Sequence, residues 1–525
     1  MTINLDGESL TIEQVVSIAR GNAELGPLSG EVIEAMMGSQ AWVERTVSQG
    51  KAVIYGVNTG FGPLATTSIP ARETSQLSRN VILNCACGVG SPLPIEIVRA
   101  MMVIRVNTLA KGVSGIRTEM VDALIAMVNR GVTPYVPSKG SLGASGDLAP
   151  LAHIAIVLTR DPEPGDGGES GKAWHQGELL SGDAAMERAG IPRLIPQAKE
   201  GLALTNGTTF MVAAGAFGIY DGISLLRHAE IAAALSLEAS LALTDAFHPA
   251  LHELSNQPGQ IRTAANLRAL LEESLLVDTD KDRIQDAYSL RCIPQVLGPA
   301  RDTLDFLRER FVGALNAATD NPLIVPDPSK ADPWRALSGG NFHGQGPALW
   351  LDMLSIAIAE IGSIAERRIF RLLTPELSAG LPSMLVPTSG LDSGLMVPQY
   401  TAAALVSDNK TLAHPDSVDS IPSSGNQEDH VSMGPNAARH TLEILDNVRT
   451  ILAIELLTAC QAVDLRPDGP ARLGRGTAAA YRLVRSRVPI LERDRSLSPD
   501  IERLVELIAS EEILAEVEGA LGIRL

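Results

Sequence analysis

Residues 211–244 read MVAAGAFGIYDGISLLRHAEIAAALSLEASLALT, and the build of that run decides the fold class. Apolar side chains, mostly Ala, Leu and Ile, recur at helical spacing across 34 residues, well beyond the ordinary globular helix. The pattern returns in Arg301–Thr319, Gln345–Leu373, Asn436–Val463 and Pro499–Leu521. In Gln345–Leu373 the Ala, Gly and larger apolar residues leave few positions for a solvated face, so that helix has to be covered on most sides. Long rods of this kind pack side by side, which predicts a mainly α protein with a long central helix bundle, completed by other subunits.

Outward from the rods the composition changes. Residues 1–205 are expected to form an N-terminal domain rich in loops, and 206–525 the long-helix bundle with the C-terminal helices. In the first part Thr11-x-x-Gln14 has the pattern of a capping box opening a helix over Leu10–Arg20. Ile95–Ala110 and Thr118–Asn129 also read as helices. Tyr55–Pro70 and Gly131–Pro150 are punctuated by Gly, Pro, Ser, Thr and Asn without a sustained period, which marks loops. The Pro, Gly and Asp cluster in Arg160–Glu169 reads as an exposed turn or hairpin, with what strand content there is nearby.

The chain has 525 residues, with 43 Lys and Arg against 61 Asp and Glu for a net charge of −18. That balance argues against an electrostatic grip on nucleic acid or an anionic membrane surface and favours a small-molecule or protein partner. Four cysteines, Cys85, Cys87, Cys292 and Cys460, are too few to staple a chain of this size and show neither a CxxC pair nor a zinc spacing, the pattern of reduced thiols. The acidic start, Met1 to Glu8, lacks the basic-then-apolar order of an export signal. Glu238, Asp352 and Glu360 interrupt the most apolar stretches, so no membrane span is expected and the cytoplasm is the expected location. The nine histidines are scattered, and the one His-x-x-x-His spacing, His248 and His252, comes without a legible third ligand, so no metal site is expected.

The chemistry sits in Gly140-Ser141-Leu142-Gly143-Ala144-Ser145-Gly146-Asp147-Leu148-Ala149-Pro150. The spacing is that of a glycine loop running into a helix, with Asp147 as N-cap and Pro150 in the first turn. It is not the dinucleotide fingerprint, and no strand is legible before it. Taken alone the loop is a tight turn. Within it, Ala144-Ser145-Gly146 can make an electrophile from backbone: the unhindered Gly146 nitrogen reaches the Ala144 carbonyl carbon if the turn is compressed, and loss of water from Ser145 leaves an exocyclic methylene.

Here the chain resembles the histidine/phenylalanine ammonia-lyase and aromatic aminomutase superfamily, whose cofactor is such a 4-methylideneimidazol-5-one (MIO), and the likeness runs through nearly the whole chain. It implies the fumarase/aspartase-like ammonia-lyase fold and an MIO formed autocatalytically from Ala144, Ser145 and Gly146. Tyr55-Gly56-Val57-Asn58-Thr59-Gly60-Phe61-Gly62 resembles the family's inner loop, which implies Tyr55 as acid/base. Leu204-Thr205-Asn206-Gly207-Thr208 is similar to the segment whose asparagine lies beside the cofactor, Asn206 here. Gln285-Asp286-Ala287-Tyr288-Ser289-Leu290-Arg291 matches the segment supplying a glutamine, a second tyrosine and an arginine. Arg291 suits an amino-acid carboxylate because its planar fork pairs bidentately, and i, i+3, i+6 spacing in a helix would spread Gln285, Tyr288 and Arg291 around one side. Ser338-Gly339-Gly340-Asn341-Phe342 resembles the loop that sets an aromatic ring over the cofactor, a role carried onto Phe342. Gly425-Asn426-Gln427-Glu428-Asp429-His430 looks like the form of histidine ammonia-lyases, which implies Gln427 and Glu428 near the substrate's amine or imidazole.

One position departs. Asn80–Gly90 resembles the family's selectivity stretch, but histidine- and tyrosine-specific members usually present His where this chain has Cys85, and a thiol behaves mostly as a hydrophobe. The resemblance thus implies an ammonia-lyase acting on an aromatic L-amino acid, foremost L-histidine to trans-urocanate, with a phenylalanine- or tyrosine-type lyase or a 2,3-aminomutase as the alternative. Tyr55 would have to titrate below the usual phenol range near 10 to act as a base at neutral pH. The family also implies a homotetramer whose active sites are shared between subunits. A helical scaffold without catalysis would not need Ala144-Ser145-Gly146, Tyr55 and Arg291 together.

Overall fold

A computed structural model describes residues 1–50, 52–162, 169–329, 332–388 and 390–525. The architecture is mainly helical. Four long helices dominate, Thr209–Ala239, Ile293–Leu315, Gln345–Leu373 and Gly434–Asp464, close to where the apolar periodicity predicts them. Ile293–Leu315 starts earlier than expected and continues through Pro299, since a proline removes only one ladder bond when neighbouring packing holds the rod. The expected Pro499–Leu521 helix is two, Ser498–Ala509 and Glu512–Leu521, parted by Glu511 at φ +61°. The Thr209–Ala239 and Gln345–Leu373 helices are long and apolar enough to cross a membrane, yet 89% and 61% of their most apolar windows are buried inside the protein.

By compactness the chain divides into two units that interleave along the sequence. One comprises Met1–Tyr220, Arg308–Asp352 and Pro415–Arg439, the other Asp221–Leu307, Met353–His414 and His440–Leu525. In the first unit the Ile12–Ala19 helix opens on a complete capping box, Thr11 Oγ1 accepting from Gln14 N–H at 3.2 Å while Gln14 Oε1 accepts from Thr11 N–H at 3.0 Å. The Ile95–Ala110 helix is buried along nearly its whole length. The strands described in this unit are short: Thr2–Ile3 pairs parallel with Glu24–Leu25, Val89–Pro92 antiparallel with Pro137–Lys139, and Leu323–Pro326 antiparallel with Trp334–Leu337. A three-stranded antiparallel sheet joins Thr133–Pro134, Lys172–His175 and Glu178–Ser181. These flank the turn expected at Arg160–Glu169, of which residues 163–168 lie outside the described residues.

The second unit is built on buried helix faces with a few satisfied charges. Glu455 is fully buried, accepts from Arg368 Nε at 2.5 Å and Nη2 at 2.9 Å, and takes the Ser236 hydroxyl at 2.8 Å. A buried ion pair of this kind adds little net stability over an apolar replacement but is costly to break from one side.

Candidate active site

The glycine loop enters from strand Pro137–Lys139, so a strand does precede it, too short to be legible by period. Gly146 N–H donates to Gly143 O at 3.0 Å, with Ser145 at φ +54° and Gly146 at φ +79°. A turn of this hand forces a positive φ on its third residue, and holding serine there costs about 1–2 kcal/mol. The tripeptide Ala144-Ser145-Gly146 is therefore held in a tight turn. A Cβ on Gly146 would stand 2.2 Å from Gly207 O and 3.0 Å from Phe342 O, so only glycine fits.

Two donors meet at the Ser145 carbonyl. Gly207 N–H lies 3.3 Å from it, and the Asn206 amide, oriented so that both its ends are satisfied, donates to the same oxygen at 3.0 Å and accepts from Asn321 N–H at 2.9 Å. Negative charge arriving on that oxygen would be stabilised in place. Helix starts surround the loop as well. Leu148–Leu158 begins directly after it, Thr209–Ala239 begins two residues beyond Gly207, and Gly434–Asp464 follows Met433, whose N–H donates to Leu142 O at 3.0 Å. Each contributes a positive partial charge at its N-terminus.

Asp147 occupies the N-cap position of Leu148–Leu158 but makes no cap bond there. Its carboxylate instead accepts Phe210 N–H at 2.7 Å and Met211 N–H at 3.1 Å, capping the Thr209–Ala239 helix. Complete burial pushes Asp147 up to about 7, those two amides and Arg105 pulling the other way.

A cavity of about 480 Å³ opens on the loop, lined among others by Tyr55, Ala144, Ser145, Asn206, Phe342, Gln427 and Glu428. Residues expected at the site from five separate sequence segments thus come together in one unit. Cys85 lines an adjoining cavity of about 460 Å³ that shares Tyr55, Ser145 and Glu428 with the first; Leu77, Asn80, Val81 and Asn84 of the Thr74–Cys85 helix line it too, one helical face at i, i+3, i+4 and i+7. Burial pushes the Cys85 thiol up to about 11.

The loop carrying Tyr55 is folded back on itself by Gly60 N–H to Thr67 O at 3.0 Å and Ile69 N–H to Asn58 O at 2.9 Å. Asn58 holds its base, accepting from Ile54 N–H and donating to Ala52 O, both at 2.8 Å. The Tyr55 hydroxyl accepts from Gly62 N–H at 3.4 Å, and its ring meets Phe61 edge-on at 6.4 Å. The downward shift expected for this phenol is not found. Burial raises it, the Glu428 carboxylate pushes the same way, and only the Gly62 amide opposes them. One Glu428 oxygen, Oε2, is buried without a hydrogen-bond partner among the described residues.

Gln285, Tyr288 and Arg291 are absent from this lining and belong to the second unit. Nor do they share a helix: the helix there is only Tyr288–Arg291, with Gln285 in the irregular segment before it. Tyr288 is 71% exposed, the Arg291 guanidinium stacks 4.7 Å over its ring, and Arg291 Nε donates to Asp286 O at 2.9 Å. Among the described residues the cavity lining holds no Lys or Arg.

The sequence reading passed over Asn321, Ser338, His343 and His430, which also line the cavity. His343 directly follows Phe342 and His430 lies two residues beyond Glu428, their rings 5.6 Å apart with His343 Nε2 3.0 Å from His430 O. Asn321 follows Asp320 and precedes Pro322, which signals a turn and nothing more. Among the described residues no group of three or more His, Cys, Asp or Glu is arranged to hold a metal ion.

Comparison with known proteins agrees with this site. The sequence pattern described as aromatic amino acid lyase matches residues 10–486, and the chain belongs to that family of carbon–nitrogen lyases, which work through an MIO group. A histidine ammonia-lyase of Caldanaerobacter subterraneus subsp. tengcongensis is 48% identical over 98% of each chain. Among solved structures, histidine ammonia-lyase from Trypanosoma cruzi superposes with a TM-score of 0.88 at 39% identity, covering 99% of this chain and 96% of that one. Tyrosine aminomutase from Streptomyces globisporus superposes with a TM-score of 0.91 at 36% identity over the whole of both chains.

Proposed function

We propose that this chain eliminates ammonia from L-histidine to give trans-urocanate. The observation that carries the proposal is the tight Ala144-Ser145-Gly146 turn, with two N–H donors on the Ser145 carbonyl, opening on a cavity that holds Tyr55 and Glu428. The full-length likeness to histidine ammonia-lyases supports histidine as the substrate.

The residues present fit an MIO formed from Ala144, Ser145 and Gly146: the turn is tight, Gly146 has no room for a side chain, and Asn206 and Gly207 already address the carbonyl that the ring would keep. That group supplies an electrophile for the substrate's amine, making it a better leaving group. Tyr55 removes the β-proton and passes it on to the departing ammonia, which frees the phenol for the next turnover. Asn206 and Gly207 N–H hold the charge that develops on Ser145 O. Glu428, with Gln427 beside it, receives the imidazole or amine through an oxygen left unpartnered in the free chain, and Phe342 and Cys85 bound the ring's space.

A carboxylate needs a cation, and among the described residues this lining holds none. We assign it to Arg291 of a neighbouring subunit in a homotetramer, with Tyr288 as a second acid/base and Gln285 as a polar contact. Ile356, Phe370, Val397 and Tyr400 of the second unit, each more than 40% exposed, support such an assembly. Residues 1–205 then carry the cofactor and tyrosine loops, 206–525 the long helices, and the enzyme works in the cytoplasm.

The test is kcat/KM for L-histidine, L-phenylalanine and L-tyrosine in the native protein and in Cys85→His. Histidine should be the best substrate of the native chain; turnover of another amino acid with none of histidine by either form would refute the assignment. The likeness to tyrosine aminomutase supports re-addition of ammonia as the second reading, which chiral analysis for a β-amino acid separates.

A further inference from the structure

Cys85 and Cys87 flank a single residue, Ala86, whose φ of −76° and ψ of 55° close an inverse γ-turn. Cys87 N–H donates to Cys85 O at 2.8 Å. A turn of this kind sets the two Cα atoms about 5.5 Å apart, inside the window a disulfide bond spans. Both sides of the turn are anchored. The Thr74–Cys85 helix ends at the first cysteine, while after the second Gly88 N–H donates to His153 Nε2 at 3.1 Å and the strand Val89–Pro92 begins. The two thiols differ in setting: Cys85 lines the cavity that also contains Tyr55, Ser145 and Glu428, whereas Cys87 is exposed and outside that lining.

We propose that Cys85 and Cys87 form a reversible disulfide that gates the ring end of the substrate cavity. The inference rests on the reading of that cavity as the substrate site. Exposed Cys87 is the entry point for an outside reagent, since Cys85 sits in the cavity lining. The Cys87 sulfur attacks a small disulfide R–S–S–R, its S–S bond breaks, and one R–SH leaves as the mixed disulfide forms. The Cys85 sulfur then attacks the Cys87 sulfur and releases the second R–SH. The cysteine pair loses two electrons, the small disulfide gains them, and the two cysteine protons leave on the two thiols. Bonded to Cys87, the Cys85 sulfur must turn toward the exposed side of the turn, and the cavity loses that wall group. A disulfide closing so short a loop at an accessible site is of the labile, easily reduced kind.

The experiment treats the native full-length protein with oxidised glutathione, maps disulfides by peptide mass spectrometry, and assays turnover before treatment, after it, and after reduction with a dithiol. The expected result is a Cys85–Cys87 disulfide with Cys292 and Cys460 still reduced, a loss of about tenfold or more in kcat/KM, and full recovery on reduction. Cys87→Ser should keep the untreated activity and lose the response. Absence of the disulfide, a bond to another cysteine, or a disulfide that leaves turnover unchanged would overturn the proposal. If the reduced protein turns over no aromatic amino acid, the functional reading of the cavity fails, and the peptide map still decides whether the pair forms.

Discussion

Two N–H groups aimed at one carbonyl are the smallest unit of this site. Removing the Asn206 donor leaves Gly207 alone on Ser145 O, and loss of one such donor typically costs about 100-fold in rate. Asn206→Ala should therefore lower kcat by that order with KM little changed, as steady-state kinetics would show. Tyr55 yields a pH prediction. Burial and Glu428 hold its phenol above the ordinary value, and it acts as a base only when ionised, so kcat/KM should climb with pH through the alkaline range. Glu428→Gln removes one of the two influences that raise it. Its pH profile should move to lower pH while histidine binding weakens; an unmoved limb would mean that another group limits the rate. Tyr55, Ser145 and Glu428 line one cavity, and what pointed to them was the family resemblance of their motifs, since each stretch taken alone reads as a turn or loop. The direction of the Tyr55 shift was not legible, because it depends on burial and on a carboxylate from a distant segment. Asn321 was invisible for a similar reason: its role comes from the amide facing it across the turn.

Among the helices, local signals served and long-range ones did not. Thr11 and Gln14 read correctly because a capping box is complete within four residues, and Gln345–Leu373 read correctly because its period runs unbroken. The break at Glu511 has no glycine or proline to announce it. Asp147 was assigned to the helix that follows it, whereas it caps another that starts only after Asn206 and Gly207. Asp147→Ala would leave two buried amides without their acceptor, a loss of about 1–3 kcal/mol that a lower denaturation midpoint would report. Glu238 tests the same logic in the second unit. It accepts Gly474 N–H at 2.6 Å at the start of the Arg475–Arg487 helix, and burial pushes it up to about 7. Between its ordinary value and 7 the folded chain holds a proton that the unfolded chain has lost, so this group's stability is present at low pH and falls as pH rises. The full change is about 3 kcal/mol. Glu238→Gln stays neutral throughout, and urea midpoints at pH 5 and pH 8 should fall less in the variant than in the native protein.

For the whole molecule, the long apolar rods made the helical class readable, while the compact units, which interleave along the chain, were not, since compactness depends on which distant segments pack together. The site's missing cation belongs to this scale. If Arg291 reaches the cavity of another subunit, then Ser145→Ala and Arg291→Ala chains, each inactive alone, should regain part of the activity when assembled into one mixed oligomer; lack of any recovery would keep Arg291 and Ser145 within one chain's site. The central claim is that Ser145 becomes part of an electrophile on which ammonia release from histidine depends. It is tested most directly by measuring urocanate and ammonia from L-histidine with native protein and with Ser145→Ala, alongside the mass of the peptide carrying residues 144–146. The native peptide should be lighter than its sequence by two water molecules and the enzyme active, whereas the variant should fold to the same oligomer, lack its near-UV absorbance and release almost no product. Equal turnover by the two proteins, or a native peptide of unaltered mass in an active enzyme, would contradict the account.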